Sequence, residues 1–131
     1  AGVQAGEARF RALVQHSSDV IVVVDGAGAV RYVSPSVERL LALAPDAVLG
    51  RPIVEFLDPD DRAAATARLG AARATPGAAP LRLRVRRPDG ACRTVECAYT
   101  DLSADPAVGG VVITARDVTE RAELEARLAH Q

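Results

Sequence analysis

The stretch LRLRVRRPDG, residues 81–90, decides how this chain is interpreted. Its first six residues alternate strictly between apolar and charged, which is the period of a half-buried β-strand. The turn sequence that follows ends in Gly90, and a glycine in the left-handed conformation is typical of a three-residue hairpin loop. With Gly90 in that position, Arg87 pairs with Ala91. We therefore predict a β-hairpin whose register is fixed.

This register sorts the side chains of the two strands onto two faces. It pairs Arg82 with Glu96, Leu83 with Val95, and Leu81 with Cys97. A slip of one residue would send every apolar side chain to the charged face. The residues expected to point inward are Leu81, Leu83, Val85, Val95, Cys97 and Tyr99.

A further strand is predicted near the C-terminus, where residues 111–115 are mostly β-branched. The sequence from Glu120 to His130 then consists largely of good helix formers. Asp117 or Thr119 can cap this helix. A strand that leads directly into a charged helix leaving the domain indicates a point of signal transmission rather than catalysis.

Two strands and several helices are predicted upstream. Residues 20–24 form an apolar strand, and a turn with two glycines leads from them to a second strand over residues 29–33, which predicts a hairpin. Ser34, followed by proline, is expected to cap a helix whose buried stripe consists of Val37, Leu40 and Leu41. The sequence from Asp58 repeats the cap-and-proline pattern and opens a longer, alanine-rich helix to about Arg73.

Composition fits one domain with a sizeable core, since the chain has 131 residues and is 49% hydrophobic. The net charge of -1 gives no general attraction to nucleic acid or to an anionic membrane. No apolar run approaches the roughly 20 residues that span a bilayer, so we expect a cytoplasmic protein. The absence of methionine and the helical C-terminus suggest a fragment of a longer protein.

The two cysteines, Cys92 and Cys97, are expected on opposite faces of one strand and therefore unable to bridge each other. Their spacing is not that of metal ligands. The two histidines, His16 and His130, lie near the ends of the chain, so a clustered metal site is not expected. No nucleophile triad or phosphate loop is found either, and no enzymatic activity is predicted.

The order of elements resembles that of the PAS sensor family over roughly residues 10–131. Several short motifs match together, and the last resembles the family's Asp-Ile-Thr signature with Val118 in place of isoleucine. There the acidic residue and the threonine tie the final strand to the signalling helix. The matching motifs are Ser18-Asp19, Asp25-Gly26, Leu49-Gly50-Arg51-Pro52, Leu57-Asp58-Pro59-Asp60-Asp61-Arg62, Arg87-Pro88-Asp89-Gly90 and Arg116-Asp117-Val118-Thr119-Glu120-Arg121.

The resemblance implies an α+β fold with a five-stranded antiparallel sheet in the order 2-1-5-4-3 and helices over one face. It divides the chain into an N-terminal flanking helix over residues 1–16, a PAS core over 17–117 and the start of a signalling helix over 118–131. It also implies a ligand cleft between the sheet and the helices.

Departures from the family's motifs narrow the chemistry of this cleft. Flavin-binding light-oxygen-voltage (LOV) relatives carry a reactive cysteine after the Gly-Arg pair, whereas this chain continues with Pro52 and Ile53. Where those relatives have amides that bind the flavin, this chain is expected to place Val85, Val95 and Ala115. Haem-binding relatives need a histidine on the long helix, and residues 60–73 contain none. We therefore predict neither cofactor.

The expected cleft is apolar. One interpretation is a filled core, because most inward apolar residues simply pack. The other is a site for a small, largely apolar ligand, with Arg93 or Tyr99 at its margin. The candidate cleft residues are Val22, Val24, Ile53, Phe56, Ala65, Leu69, Leu83, Val85, Val95, Cys97, Tyr99, Val111, Ile113 and Ala115.

Arg82, Arg84 and Arg86 form a basic stripe on the other face of the same strand. A nucleic-acid footprint is one interpretation of such a stripe. Glu96 is expected opposite Arg82, however, and no aromatic residues alternate with the arginines. A solvated face of the sheet is therefore the preferred interpretation, without a nucleic-acid partner.

The function predicted from these observations is a PAS sensory module that acts through Asp117 and Thr119. Its effector would be a histidine kinase, a nucleotide cyclase or a phosphatase in the same polypeptide. The alternative is a ligand-free spacer and dimerisation domain. A homodimer is expected in either case, and the candidate interface residues are Phe10, Leu13, Val14, Leu124 and Leu128.

Overall fold

A computed structural model describes residues 19–130 and shows one five-stranded antiparallel sheet in the order β2-β1-β5-β4-β3. The predicted strand order and fold class are confirmed. The strands are β1 (Val20–Val24), β2 (Val30–Val33), β3 (Leu81–Arg86), β4 (Cys92–Leu102) and β5 (Gly110–Asp117). The α-helices are α1 (Val37–Leu41), α2 (Pro45–Val48), α3 (Arg62–Ala71) and α4 (Thr119–Ala129), and 3₁₀ turns span Ile53–Phe56 and Pro59–Asp61.

The hairpin of β3 and β4 has the register that the turn sequence predicts. Leu81 pairs with Cys97 and Leu83 with Val95. Gly90 has a φ of 89°, a conformation that costs glycine little because it has no Cβ. The apolar side chains of both strands therefore share the inner face of the sheet.

The hairpin of β1 and β2 closes through a turn that Asp25 stabilises. Its Oδ1 accepts hydrogen bonds from the amides of Ala27 (2.9 Å) and Ala29 (3.0 Å). The strand predicted to begin at Ala29 begins at Val30, because Ala29 instead forms an isolated bridge with Pro52. This bridge fastens the helical connection to the edge of the sheet.

Ser34 does not cap α1, so that prediction is wrong. The helix begins at Val37, and the Ser34 hydroxyl instead accepts a hydrogen bond from the Ile21 amide at 2.9 Å. Ser34 is 1% exposed, and its hydroxyl oxygen satisfies a backbone donor of β1. The residue therefore joins the helical layer to β1.

The helical connection covers the inner face of the sheet. Helix α1 buries Val37, Leu40 and Leu41, as its sequence pattern predicts. The Asp58 side chain accepts from the Asp60 amide at 3.0 Å, which confirms the predicted cap, and α3 follows. No described helix is long and apolar enough to cross a membrane.

Strand β5 ends at Asp117, and α4 begins at Thr119. Only Val118 separates the two elements, and its amide donates to the Thr94 carbonyl oxygen at 2.8 Å. The first residue after β5 is therefore held to β4 by a backbone hydrogen bond. The helix predicted near the N-terminus, with Phe10, Leu13 and Val14, lies outside the described residues.

Candidate functional site

An apolar cavity of about 60 Å³ lies between the sheet and the helices that cover its inner face. Strands from all five positions of the sheet contribute to its wall, and α1, α2 and α3 close the other side. The wall consists of Val20, Val22, Val33, Val37, Leu40, Leu41, Val48, Ile53, Val54, Phe56, Leu57, Ala65, Leu69, Leu83, Val85, Val95, Cys97, Tyr99, Ile113 and Ala115.

The wall contains every candidate cleft residue except Val24 and Val111. Val24 is fully buried in the core, where the pairing of β1 with β2 shifts by one residue. Val111 is partly buried at the start of β5 and lines a depression on the outside of the domain. Both lie at the end of the sheet beyond the cavity. Inward alternation alone therefore predicted a longer cavity than the structure shows.

Sequence reasoning missed Val20 of β1, the wall residues from β2, α1 and α2, and two residues of the connection after α2, Val54 and Leu57. The apolar stripe of α1 was identified as buried, but its distance from the sheet depends on how the helix packs. The spacing of Val37, Leu40 and Leu41 was the available signal. The missed residues are Val20, Val33, Val37, Leu40, Leu41, Val48, Val54 and Leu57.

The size of the cavity restricts what it can hold. A volume of about 60 Å³ exceeds the roughly 10–15 Å³ that one water molecule needs, but a drug-sized ligand occupies a pocket of about 300–1,000 Å³. A molecule of a few heavy atoms therefore fits the cavity as it stands. A larger ligand requires the helices to move away from the sheet.

Two residues of β4 bring polar atoms to this wall. Burial raises the pKa of the Cys97 thiol to about 12, so the thiol is neutral at pH 7. Burial likewise raises the pKa of Tyr99, with a smaller contribution from Cys97 and an opposing one from Arg68. Both groups therefore present neutral, weakly polar side chains to the cavity.

The junction between β5 and α4 is organised around Thr119, which is 6% exposed. Its hydroxyl donates to Asp117 Oδ1 at 2.6 Å and accepts from the Thr94 amide at 2.9 Å. Asp117 Oδ1 also accepts from the Thr119 amide at 3.0 Å. The two junction candidates thus contact each other and satisfy amides of both β4 and α4.

Of the two residues considered for the margin of the cavity, Tyr99 contributes to its wall, whereas Arg93 lies at this junction. Its Nε donates to Asp117 Oδ2 at 2.9 Å, and its Nη2 donates to Glu120 Oε1 at 3.0 Å. Arg93 shares the inward alternation of Val95 and Cys97, but it lies at the start of β4, beyond the residues of this strand that line the cavity. One guanidinium therefore joins the penultimate strand to the first turn of α4.

The electrostatics of the junction keep Asp117 ionised. Partial burial raises the pKa of its carboxyl group, but hydrogen bonds from Thr119 and Arg93 outweigh burial and leave the pKa below the ordinary value of 3.8. The same contact to Asp117 raises the pKa of Arg93. The ion pair is consequently charged at neutral pH.

The arginine stripe of β3 is neutralised by carboxylates. Arg82 donates to Glu96 at 3.1 Å and to Glu125 of α4 at 2.8 Å. Arg84 pairs with Asp61 at 3.1 Å, and Arg86 pairs with Asp58 at 3.1 Å. These contacts favour a solvated face over a phosphate-binding one, and Arg82 also holds α4 to the sheet.

Helix α4 exposes the two dimer candidates that the structure describes. Leu124 is 50% exposed and Leu128 is 58% exposed, and their spacing places them on one side of the helix. Within residues 19–130, no group of three or more histidine, cysteine or acidic side chains is arranged to hold a metal ion. Val85, Val95 and Ala115 present hydrocarbon to the cavity, where a flavin would need hydrogen-bonding partners.

A comparison with known protein families identifies the family to which this fold belongs. A family model described as the PAS fold matches residues 14–123, and the chain therefore belongs to the PAS family. No curated protein matches the sequence.

Solved structures support the same fold. A PAS domain from Colwellia psychrerythraea is 20% identical with a TM-score of 0.73, over 86% of this chain and 96% of that one. A sensory box histidine kinase/response regulator from Burkholderia thailandensis is 27% identical with a TM-score of 0.66, over 92% of each chain. An RNA-binding light-oxygen-voltage receptor is 25% identical with a TM-score of 0.73, over 94% of this chain and 36% of that one.

Proposed function

We propose that this PAS domain is a sensory module that couples occupancy of the apolar cavity to the position of α4. The path of β5 is the observation that carries the proposal. Ile113 and Ala115 of this strand form part of the cavity wall, and the strand ends at Asp117, two residues before Thr119. A change of packing at the wall therefore has a short path to the helix.

The proposed input is a small, largely apolar molecule. A charged ligand would lose its hydration without gaining partners from the hydrocarbon wall. Xenon and small hydrocarbons suit a dry apolar cavity better. A ligand larger than the cavity of about 60 Å³ would have to shift the helices over the sheet, and its preference for the shifted state would supply the signal.

The proposed output is an effector in the same polypeptide that follows α4. The similarity to part of a sensory box histidine kinase/response regulator favours a kinase over a nucleotide cyclase or a phosphatase. In this proposal the domain itself catalyses no reaction and works without a flavin adduct or haem. Its task is to change how α4 is held.

Xenon binding followed by amide hydrogen exchange tests the coupling. We expect xenon to shift the NMR signals of cavity methyl groups, including Ile113, and to change exchange in α4. Asp117→Ala should leave xenon binding within about twofold, because a lost helix cap costs only about 0.5–2 kcal/mol and the domain stays folded. The same variant should abolish the change in α4, because the contact that ties β5 to the helix is gone.

Asp105→Ala is the matched control for this variant. Asp105 Oδ1 accepts from the amide two residues later, that of Ala107, at 2.9 Å, which is the same local geometry as Asp117 to Thr119. It lies in the loop before β5 and should leave the response of α4 intact. Xenon binding without any change in α4 of the unmodified protein would contradict the proposal.

The second candidate function is a ligand-free spacer and dimerisation domain. The exposure of Leu124 and Leu128 favours it, because an apolar pair four residues apart is typical of one step of a helical interface. Light scattering of the protein and of a Leu124→Glu/Leu128→Glu variant tests the dimer. A dimer that the variant loses, combined with no response to xenon, would favour the spacer.

A further inference from the structure

The sheet is one strand narrower at one corner of the cavity. Strand β3 begins at Leu81, which pairs with Cys97, whereas β4 continues to Leu102. Along residues 98–102, β4 therefore pairs with β5 but has no β3 residue on its other side. Tyr99 lies on this one-sided part of β4 and contributes to the cavity wall.

An exposed loop, residues 73–80, takes the place of β3 at this corner. It is rich in alanine, glycine and proline, so it provides few bulky side chains to seal the gap. Its end is tethered to α3 where Arg68 Nη1 donates to the Ala79 carbonyl oxygen at 2.6 Å. The barrier between the cavity and solvent therefore depends on the residues beneath the loop.

Tyr99 and Leu69 form that barrier. Each lines the interior cavity on one side and an outer depression on the other. The depression next to Tyr99 has a volume of about 200 Å³ and reaches Pro76 and Gly77 in the loop. The depression next to Leu69 has a volume of about 330 Å³. At these two side chains the cavity is one residue away from the outside.

An ion pair crosses the same corner on the surface. Arg73 Nε donates to Asp101 Oδ2 at 2.9 Å, and Arg73 Nη2 donates to Ser103 Oγ at 2.9 Å. Asp101 is held in place because its Oδ1 accepts from the Ser103 amide at 3.0 Å. Arg73 and Asp101 line both outer depressions, so the bridge connects the end of α3 to β4 directly over the barrier.

We propose that this corner is the portal through which a ligand reaches the cavity, with Tyr99 and Leu69 as the gate and the Arg73–Asp101 bridge as its latch. The inference rests on the proposed sensory function. Separation of α3 from β4 breaks the latch, after which rotation of one aromatic ring connects the cavity to solvent. The gate thereby selects slender molecules over bulky ones.

The strengths of the contacts agree with such a device. Arg73 is 79% exposed, and exposed ion pairs contribute little to stability, so thermal motion breaks the latch readily. The gate limits access to the cavity more than the latch does, because the Tyr99 ring fills space where β4 has no β3 residue beside it. We therefore expect a large effect from truncating Tyr99 and a modest one from removing the latch.

Cys97 provides a direct test, because its thiol lines the cavity two residues from Tyr99. In a Cys92→Ser background, the rate of Cys97 modification by methyl methanethiosulfonate reports access to the cavity. The Cys97 thiolate attacks the reagent's sulfenyl sulfur, forms a mixed disulfide and releases methanesulfinate. Rates are compared at one alkaline pH, since burial makes the Cys97 thiol a weak acid.

Arg73→Gln should raise the modification rate about two- to fivefold, in keeping with the loss of an exposed ion pair. Tyr99→Ala should raise it at least about tenfold, because truncating an aromatic side chain leaves an opening. Arg82→Gln is the matched control, since it removes an ion pair on the solvent-facing side of β3 and β4, away from the cavity, and should leave the rate unchanged. Equal rates of Cys97 modification in Arg73→Gln and in its Cys92→Ser parent would overturn the portal.

Global unfolding is the competing route to modification. Urea denaturation gives the free energy of unfolding of each variant and so the contribution of this route. At equal free energies of unfolding, Arg73→Gln should accelerate modification more than Arg82→Gln. Because modification needs no ligand, this test is independent of the sensory proposal. If xenon does not bind, the proposed ligand input is refuted, but the Cys97 modification rates can still be interpreted. If xenon binds but the portal variants modify Cys97 no faster than their parent, only the portal is refuted.

Discussion

The ladder between β4 and β5 has two unlike ends. At one end Val95 pairs with Asp117, and β3 flanks the pair because Val95 also pairs with Leu83. At the other end Leu102 pairs with Gly110 where β3 is absent. The first end leads to α4, the proposed output helix, and the second lies beside the loop of residues 73–80, at the proposed portal.

The end next to α4 is also held by more hydrogen bonds than the end beside the loop. At the output end, both backbone groups of Thr94 bond to the junction, one through Val118 and the other through the buried Thr119 hydroxyl. At the loop end, the exposed Arg73 side chain provides the main crossing contact. The comparison indicates a stiff end at the junction with α4 and a yielding end beside the loop, which are the proposed output and input ends of one pair of strands.

The largest expected effect comes from weakening the strand between these ends. Ile113 lines the cavity and pairs with Tyr99 of β4 and Val22 of β1. Ile113→Ala should lower the free energy of unfolding by about 2–5 kcal/mol, because the enlarged cavity loses apolar contacts. Urea denaturation measures the loss, and hydrogen exchange shows where protection falls.

Ile113→Val is the control and should cost about 0.5–1.5 kcal/mol. If the two ends communicate through the cavity wall, Ile113→Ala should increase exchange at Val118 as well as on the loop side. An increase restricted to the loop side would show that the output end does not depend on the wall.

The next prediction compares one hydroxyl at each end. Thr119→Val removes the acceptor of the Thr94 amide in a buried site, and an unsatisfied buried donor costs about 1–3 kcal/mol. Thr75→Val removes an exposed hydroxyl that donates to the Ala71 carbonyl oxygen at 2.9 Å. We expect a surface substitution of this kind to cost less than about 0.5 kcal/mol.

Urea denaturation of both threonine variants gives the two costs under one set of conditions. A cost for Thr119→Val that is as small as that for Thr75→Val would mean that water replaces the lost hydroxyl, and that the junction is less rigid than its hydrogen bonds indicate.

The sequence predicted most of the fold because its signals were local. The alternation of residues 81–86 and the turn ending at Gly90 gave the strand register residue by residue. Ser34 was assigned wrongly because its local pattern is that of a cap, whereas its partner, the Ile21 amide, lies on another element. Local hydrogen-bonding preference was overridden by a tertiary contact.

The candidate site was predicted less completely, for a related reason. The faces of β3 and β4 followed from alternation, but the wall residues of α1 and α2 depend on how helices pack over the sheet. The partners of Arg93 were equally hidden, because Asp117 and Glu120 lie more than 20 residues away in sequence. Which residues share a face is encoded locally, but which elements meet is not.

The smallest expected effect concerns the charge at the output end. The pKa of Asp117 is below its ordinary value of 3.8, so the ionised carboxylate stabilises the folded protein above that pH. This contribution falls as the pH drops through the lowered pKa and the carboxyl group takes up a proton. Asp117→Asn should therefore cost about 0.2–1 kcal/mol near pH 7, the usual range for a solvent-exposed pair with arginine.

The difference between the unmodified protein and Asp117→Asn should shrink as the pH is lowered from about 5 towards 2.5, since both then carry an uncharged group at this position. Other carboxylates also titrate there, and the pKa of Asp101 at the loop end is lowered to about 2, chiefly by its hydrogen bond from Arg73. Asp101→Asn, measured by the same urea titrations, is thus the counterpart at the input end. A difference for Asp117→Asn that stayed constant with pH would mean that the amide loses hydrogen-bond geometry rather than charge, and that the Arg93 ion pair does not stiffen the junction.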